Sequence, residues 1–224
     1  MKHFVRILKT DNVTHDVKRF IVERPEDFTF TPGQATEVRV QKPGFEKEGR
    51  PFTFTGLQND LVLEFIIKQY PEHEGAKVTQ ELHTLKTGDS LIMKDIFGTI
   101  NYRGPGTFIA AGTGITPFIA IFRMLKEEGK LEENSLIFSN KTKKDVILEQ
   151  ELQALFQENL TLILTREKLP GYGNKRLDKD SLKEFITDFS QYFYVCGPKK
   201  FVGDIKGILQ ELGATPDHVV VEEA

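Results

Sequence analysis

From Thr107 onward the chain alternates apolar runs with amphipathic segments, and that alternation constrains the fold more than any other feature. Runs at 108–111, 135–138, 160–165, 192–196 and 218–221 read as strands, with helices predicted over 117–128, 146–157, 181–186 and 199–212. Phe118, Ile121, Phe122 and Leu125 have the spacing of one buried helical face, and Gly129 supplies a stop. Five strands with helices between them specify a parallel, doubly wound α/β sheet. Right-handed crossovers bring the C-terminal ends of all five strands to one edge, where such sheets bind ligands. Residues 112–116, 139–142, 165–166 and 196–198 would share that edge.

The first turn on this edge is the most informative. Gly112 and Gly114 allow a sharp bend after the strand, Thr113 lies between them, Thr116 can cap a helix and Pro117 can open it. A strand, a glycine turn and a helix N-terminus together offer free backbone N–H groups to a phosphate, although the same turn also serves packing alone. The dinucleotide fingerprint is incomplete, because Pro117 stands where a third glycine would. No acidic residue closes the second strand. Ser139, Asn140 and Lys141 stand there, with Lys143 and Lys144 close by, a set that suits a 2′-phosphate better than a bare ribose diol but also reads as a solvated basic loop. NADPH is therefore expected ahead of NADH. Cys196-Gly197-Pro198 ends the fourth strand and leaves a thiol at the ligand edge, where it can serve packing or chemistry.

Residues 1 to about 100 lack this alternation. Runs at 4–8, 17–22, 36–40, 52–55, 61–67 and 90–93, separated by Pro and Gly turns, read as six strands of an antiparallel barrel. One short helix, 79–85, interrupts them, with Thr79 as its candidate cap. The chain is thus expected to comprise a β-barrel domain, 1–102, and an α/β domain, 103–224. Two stretches of the barrel carry chemistry. Arg50-Pro51-Phe52-Thr53 places a bidentate pyrophosphate binder, an aromatic ring and a hydroxyl at one strand start, and also reads as an ordinary strand with an exposed Arg and core aromatics. Gly75, Lys77, Val78 and Thr79 lead into the helix and form a second candidate phosphate seat, or simply a capped helix.

Net charge narrows the partners. At −3 the chain lacks the basic excess of a nucleic-acid binder, its single cysteine excludes a Cys-ligated cluster, and its five histidines show no metal-ligand spacing. With no signal-like or membrane-spanning run, a cytoplasmic, soluble monomer is expected, with no membrane association.

The four motifs at Arg50, Gly75, Gly112 and Cys196 occur in the order and spacing of the ferredoxin–NADP reductase superfamily. The chain resembles its compact bacterial flavodoxin/ferredoxin reductase-like members over nearly its whole length. The resemblance implies an FAD-binding barrel followed by a nicotinamide-dinucleotide domain. It puts Arg50 on the FAD pyrophosphate, Phe52 on the isoalloxazine, Thr53 near flavin N5, and Lys68 and Tyr70 along the flavin site. Val78 and Thr79 would complete the pyrophosphate seat. Gly112, Thr113, Gly114, Thr116, Pro117, Cys196, Gly197 and Pro198 would position the nicotinamide, and Ser139, Lys141 and Arg166 the adenosine end. Cys196 would lie near the carbon that gives up hydride, with Glu222 as a proton or polarity partner. Two departures stand out. Gly56 replaces a usual Ser or Thr, and Glu222-Glu223-Ala224 stands where many relatives end on an aromatic that stacks on the flavin.

The implied activity is an FAD-dependent NAD(P)H oxidoreductase that delivers single electrons to a carrier such as flavodoxin or ferredoxin. The alternatives are a reductase of free flavin, ferric chelates or quinones, and a non-catalytic flavin-binding electron-transfer subunit of a larger complex.

Overall fold

The protein, described by a computed structural model over residues 2–45, 47–71, 76–98 and 100–222, consists of a closed antiparallel barrel followed by a parallel α/β sheet. The barrel strands are β1 (His3–Asn12), β2 (Val17–Glu23), β3 (Ala35–Val40), β4 (Gly49–Thr53), β5 (Val62–Lys68) and β6 (Ser90–Phe97), in the order β4-β3-β6-β1-β2-β5. Closure runs through the Phe54–Phe65 bridge and the Thr55 N–H, which donates to the Glu64 carbonyl at 3.0 Å. Alternation drives this half: Val5 and Ile7 of β1 point inward, while Phe4 before them and Leu8 after them stay in solvent. Phe20, Val38, Phe54, Phe65 and Leu91 fill the interior, and Leu82 of helix α1 (Ala76–Thr84) plugs one end.

The α/β half contains β7 (Gly106–Ala111), α2 (Thr116–Glu127), β8 (Ser135–Asn140), α3 (Glu149–Phe156), β9 (Leu160–Leu164), α4 (Lys179–Phe185), β10 (Tyr192–Cys196), α5 (Lys199–Glu211) and β11 (Val219–Val221). All neighbours pair in parallel in the order β11-β10-β7-β8-β9, so the topological switch lies between β7 and β10. Both faces of the sheet are covered, which is why β7 is buried along almost its entire length. Phe108 stacks on Tyr194 at 4.3 Å, and the edges of Phe118 and Phe122 of α2 meet its ring. That core continues into the barrel through Val17 and Ile66, so the two sheets share apolar packing. The buried Tyr194 hydroxyl accepts from the N–H groups of Arg103 and Gly104 and donates to the Gly104 carbonyl, pinning the connecting segment to the sheet.

Two expected caps are placed differently. Thr116 is the first helical residue of α2 rather than its cap. A 3-10 turn over Gly112–Ile115 precedes it, and the Thr116 hydroxyl donates back to the Thr113 carbonyl at 2.9 Å. Thr79 lies inside α1, which starts three residues earlier, and its hydroxyl accepts from the Tyr70 N–H. In each case the turn before the helix tightens into helical geometry and moves the start upstream. Gly129 does end its helix in the left-handed region, at φ +66°.

Candidate functional site

The ligand-bearing edge of the parallel sheet faces the end of the barrel where β4 and β5 terminate, and two adjoining clefts open between them. The first, of about 550 Å³, has Arg50, Pro51, Phe52, Thr53 and Thr79 on the barrel side. Gly114, Thr116, Pro117, Cys196, Gly197, Pro198 and Glu222 line its other side. Lys68, Tyr70 and Thr113 stand where this cleft meets a second, of about 470 Å³, that runs along the ends of β8, β9 and α5. Ser139, Asn140, Lys141 and Gly112 line that one. The switch between β7 and β10 is thus where a motif from residue 50 meets motifs from residues 112 and 196.

The far wall of the first cleft is made by backbone in close contact. A Cβ on Gly114 would lie 2.3 Å from the Cys196 carbonyl oxygen and 2.6 Å from the Gly197 nitrogen, so only glycine lets the turn after β7 lie against the end of β10. Gly197 has φ +158°, and a Cβ there would come within 3.1 Å of Ala111 Cβ. On the barrel wall, Arg50 donates through Nη1 to the adjacent Gly49 carbonyl at 2.8 Å, which uses one of its five donors and leaves the fork for a ligand. This is a cradle for a pyrophosphate and a flat ring, and FAD fits it.

The Cys196 thiol, 6% exposed, lies 3.8 Å from a Glu222 carboxylate oxygen. Burial first, and then that carboxylate, push the thiol up to about 12, so it is a protonated hydrogen-bond donor at neutral pH. Lys68 Nζ lies 2.5 Å from Asp16 Oδ2. Burial alone would raise the Asp16 carboxyl, but Lys68 and Thr14 bring it below its ordinary value. The Tyr70 and Thr113 hydroxyls lie 3.1 Å apart across the two sheets.

The second cleft holds a different signal. Asn140 is 95% buried at the end of β8, and both polar atoms of its side chain lack a partner among the described residues. A buried amide in that state costs about 1–3 kcal/mol unless a ligand completes it. Lys141 and Arg176 line the same cleft with no ion pair among the described residues. Its acids are engaged, Asp204 by Lys200 at 2.7 Å and Asp145 by the N–H and hydroxyl of Thr142. The excess is cationic and suits a nucleotide phosphate.

Comparison with known proteins gives the same picture. Residues 5–102 match the oxidoreductase FAD-binding domain and residues 108–207 the oxidoreductase NAD-binding domain. The chain belongs to the ferredoxin–NADP reductase superfamily. It is 29% identical over 240 residues to NADH-cytochrome b5 reductase 2 of Mycosarcoma maydis, covering 92% of this chain and 68% of that one. It is 25% identical to the ferredoxin–NAD(P)(+) reductase component of the Pseudomonas putida naphthalene 1,2-dioxygenase system, covering 98% of this chain and 70% of the relative. A solved ferredoxin NADP+ reductase from Neisseria gonorrhoeae, with bound FAD and NADP, superimposes with a TM-score of 0.83 at 20% identity, over 95% of this chain and 92% of that one. The protein is accordingly an oxidoreductase that binds FAD and a nicotinamide dinucleotide.

Within this reductase fold, several expected site residues lie off the clefts. The Val78 side chain is wholly buried in the barrel core, because α1 starts early and turns that position inward. Lys77 points to solvent over the Phe45 ring, 4.0 Å from Glu48. The Arg166 N–H donates to the Lys141 carbonyl at 2.8 Å and continues the pairing of β8 with the chain beyond β9, and its side chain lines neither cleft. Gly75 lies outside the described residues. Conversely, Arg176, Lys200 and Phe201 line the second cleft beside the expected Ser139, Asn140 and Lys141. Lys200 and Phe201 had a readable signal: a helix opened by Cys196-Gly197-Pro198 presents its first turn to the same edge.

Proposed function

We propose that this reductase takes hydride from NADPH and passes electrons one at a time to a small carrier protein, with residues 1–102 holding FAD and residues 103–224 the coenzyme. What carries the reading is the pair of adjoining clefts, one walled by the Arg50 motif and the Cys196 turn, the other running from Thr113 to Asn140. Bound flavin supplies hydride acceptance and one-electron release; the protein supplies orientation and electrostatics.

In this reading Arg50 grips the FAD pyrophosphate, Phe52 lies against the ring, and the Thr53 hydroxyl and backbone sit at the reactive edge. The pinched wall at Gly114 and Gly197 leaves room for a nicotinamide in register with it. Cys196, held as a neutral donor beside Glu222, packs against the ring without competing for its charge. Ser139, Asn140, Lys141 and Arg176 receive the adenosine end and its 2′-phosphate. Of the acceptor, the relatives support the class: they are named for cytochrome b5 and for ferredoxin, both one-electron carriers.

The test is anaerobic titration of the purified protein, incubated with FAD, with NADPH and with NADH, followed by addition of ferredoxin, flavodoxin or cytochrome b5. The reading expects bleaching by NADPH at lower concentration than NADH, and reoxidation by a carrier faster than by free flavin. A protein that takes up no FAD, or is bleached by neither coenzyme, overturns it.

A further inference from the structure

Away from the clefts, a partly buried cation, Arg123, is held by both halves of the molecule. Arg123 lies on α2, seven residues beyond Thr116, or roughly 10 Å along the helix axis. Its Nη1 donates across the boundary to the Thr55 carbonyl at 2.8 Å and to Glu64 Oε1 at 2.7 Å. Its Nε and Nη2 donate to both carboxylate oxygens of Glu151 on α3, at 2.7 and 3.0 Å. The barrel side is itself tied together, because the Thr55 hydroxyl donates to Glu64 Oε1 at 2.8 Å and Arg19 approaches Glu64 Oε2 at 3.8 Å.

The position of these partners matters more than their number. Thr55 stands two residues beyond Thr53, which lines the barrel wall of the first cleft, and α2 begins with Thr116 and Pro117 on the opposite wall. One guanidinium therefore spans from the flavin-side strand to the helix whose start forms the nicotinamide-side wall. A partly buried ion pair of this kind adds little net stability, since desolvation and solvent screening offset most of the attraction. What its fork geometry supplies is a definite distance and angle between the two elements it joins.

We propose that Arg123 is a positioning residue that sets the register of the two cleft walls, and through it the approach of nicotinamide to flavin. The inference rests on the hydride-transfer reading above. Misplacement of reacting groups by about 1 Å from a remote change costs on the order of 100-fold in rate. The loss should fall on hydride transfer and leave coenzyme affinity unchanged, because Arg123 lines neither cleft.

Three variants separate positioning from general stability: Arg123→Met, Glu64→Ala on the barrel side, and Glu151→Ala within the α/β half. Each is purified with its flavin and measured in three ways: stopped-flow reduction by the coenzyme that bleaches wild type, titration with oxidised coenzyme, and amide hydrogen exchange. Arg123→Met and Glu64→Ala should slow reduction about 10- to 100-fold at unchanged coenzyme affinity, and lose exchange protection at 50–55 and 113–117. Glu151→Ala, which leaves the cross-boundary bonds in place, should keep the wild-type rate. Wild-type rates in Arg123→Met and Glu64→Ala, or equal slowing in Glu64→Ala and Glu151→Ala, would overturn the assignment. If Arg123→Met does not fold, the Glu64 and Glu151 pair decides alone. Failure of wild type to be reduced by either coenzyme is a separate result, and counts against the proposed function.

Discussion

Replacing Gly114 by alanine tests whether the cleft wall depends on backbone-to-backbone contact. The added methyl would sit 2.3 Å from the Cys196 carbonyl oxygen, 2.5 Å from its carbon and 2.6 Å from the Gly197 nitrogen. Ordinary contact begins near 3.4 Å, so the two segments must part by about 1.1 Å. No flexible side chain is available to yield, because all three neighbours are backbone. Overpacking of this kind costs about 1–3 kcal/mol. The smaller unfolded-state entropy of alanine returns at most about 1 kcal/mol, so destabilisation wins. At about 2–4 °C per kcal/mol for a chain of this size, melting should fall by several degrees. The larger effect is on rate, because Cys196 and Pro117 lie on the two segments forced apart, and about 1 Å there is worth on the order of 100-fold. Thermal melting and single-turnover flavin reduction measure the two consequences. Gly207→Ala is the control: nothing lies within 4 Å of its Cβ, and alanine should leave the rate unchanged and stabilise α5 by about 0.5–1 kcal/mol. A Gly114→Ala protein with wild-type melting and wild-type reduction would refute the reasoning.

Other perturbations address single residues. Arg50→Ala should weaken FAD binding about 10- to 100-fold, the worth of charge-assisted hydrogen bonds of about 1.5–3 kcal/mol, as read by flavin fluorescence on dilution; unchanged retention of FAD would remove Arg50 from the pyrophosphate. Asn140→Leu should raise the melting temperature of the coenzyme-free protein, by abolishing two unpaired buried atoms, while raising the KM for NADPH at least about tenfold. An unaltered KM would leave the amide without a ligand role. Cys196→Ala should slow flavin reduction with FAD binding intact. It should also flatten the alkaline stability profile. The folded thiol is raised from 9.0 to about 12, so its contribution is complete below pH 9 and is lost as pH rises toward 12. The slope is about 1.4 kcal/mol per pH unit, and denaturant titrations at pH 8 to 11 that show the same slope in the variant would discount the thiol.

The fold was legible in the sequence because its two halves follow different periodicities. Strand–helix alternation after Thr107 and its absence before residue 100 separate a parallel sheet from a barrel without any tertiary information. Strand order was not legible, since which neighbour β10 chooses is decided by crossover packing rather than by its own residues. Short motifs at Arg50 and Cys196 were readable because extended strand ends leave little freedom about where they point. Val78 was misread for the opposite reason. Helix α1 begins three residues before Thr79, so Val78 is already helical and packs on the face turned to the barrel core. Asn140 stood in plain sight, but its unpaired state exists only once β8 and β9 have enclosed it. Arg123 had no local signal at all, because its partners lie 59 and 68 residues upstream and 28 downstream.

The two walls of the first cleft divide the work by chemical type. The barrel contributes side chains: a guanidinium, an aromatic ring, hydroxyls and an ammonium from Arg50, Phe52, Thr53, Tyr70 and Lys68. The α/β wall contributes mainly backbone and rings, with Gly114, Pro117, Gly197 and Pro198 around one neutral thiol. A cofactor that stays through many turnovers needs charge-assisted contacts, whereas one that enters and leaves each cycle is better served by shape. On that wall strong contacts would slow release without accelerating the chemistry, because they would bind ground state and transition state alike. In the proposed function the charges that recognise the coenzyme, Lys141 and Arg176, accordingly lie in the second cleft rather than on this wall. A wall that guides mainly by shape does so only if it stays in register with the flavin. The rigid backbone contact at Gly114, just before α2, and the partly buried fork of Arg123, two turns into it, answer that one requirement together.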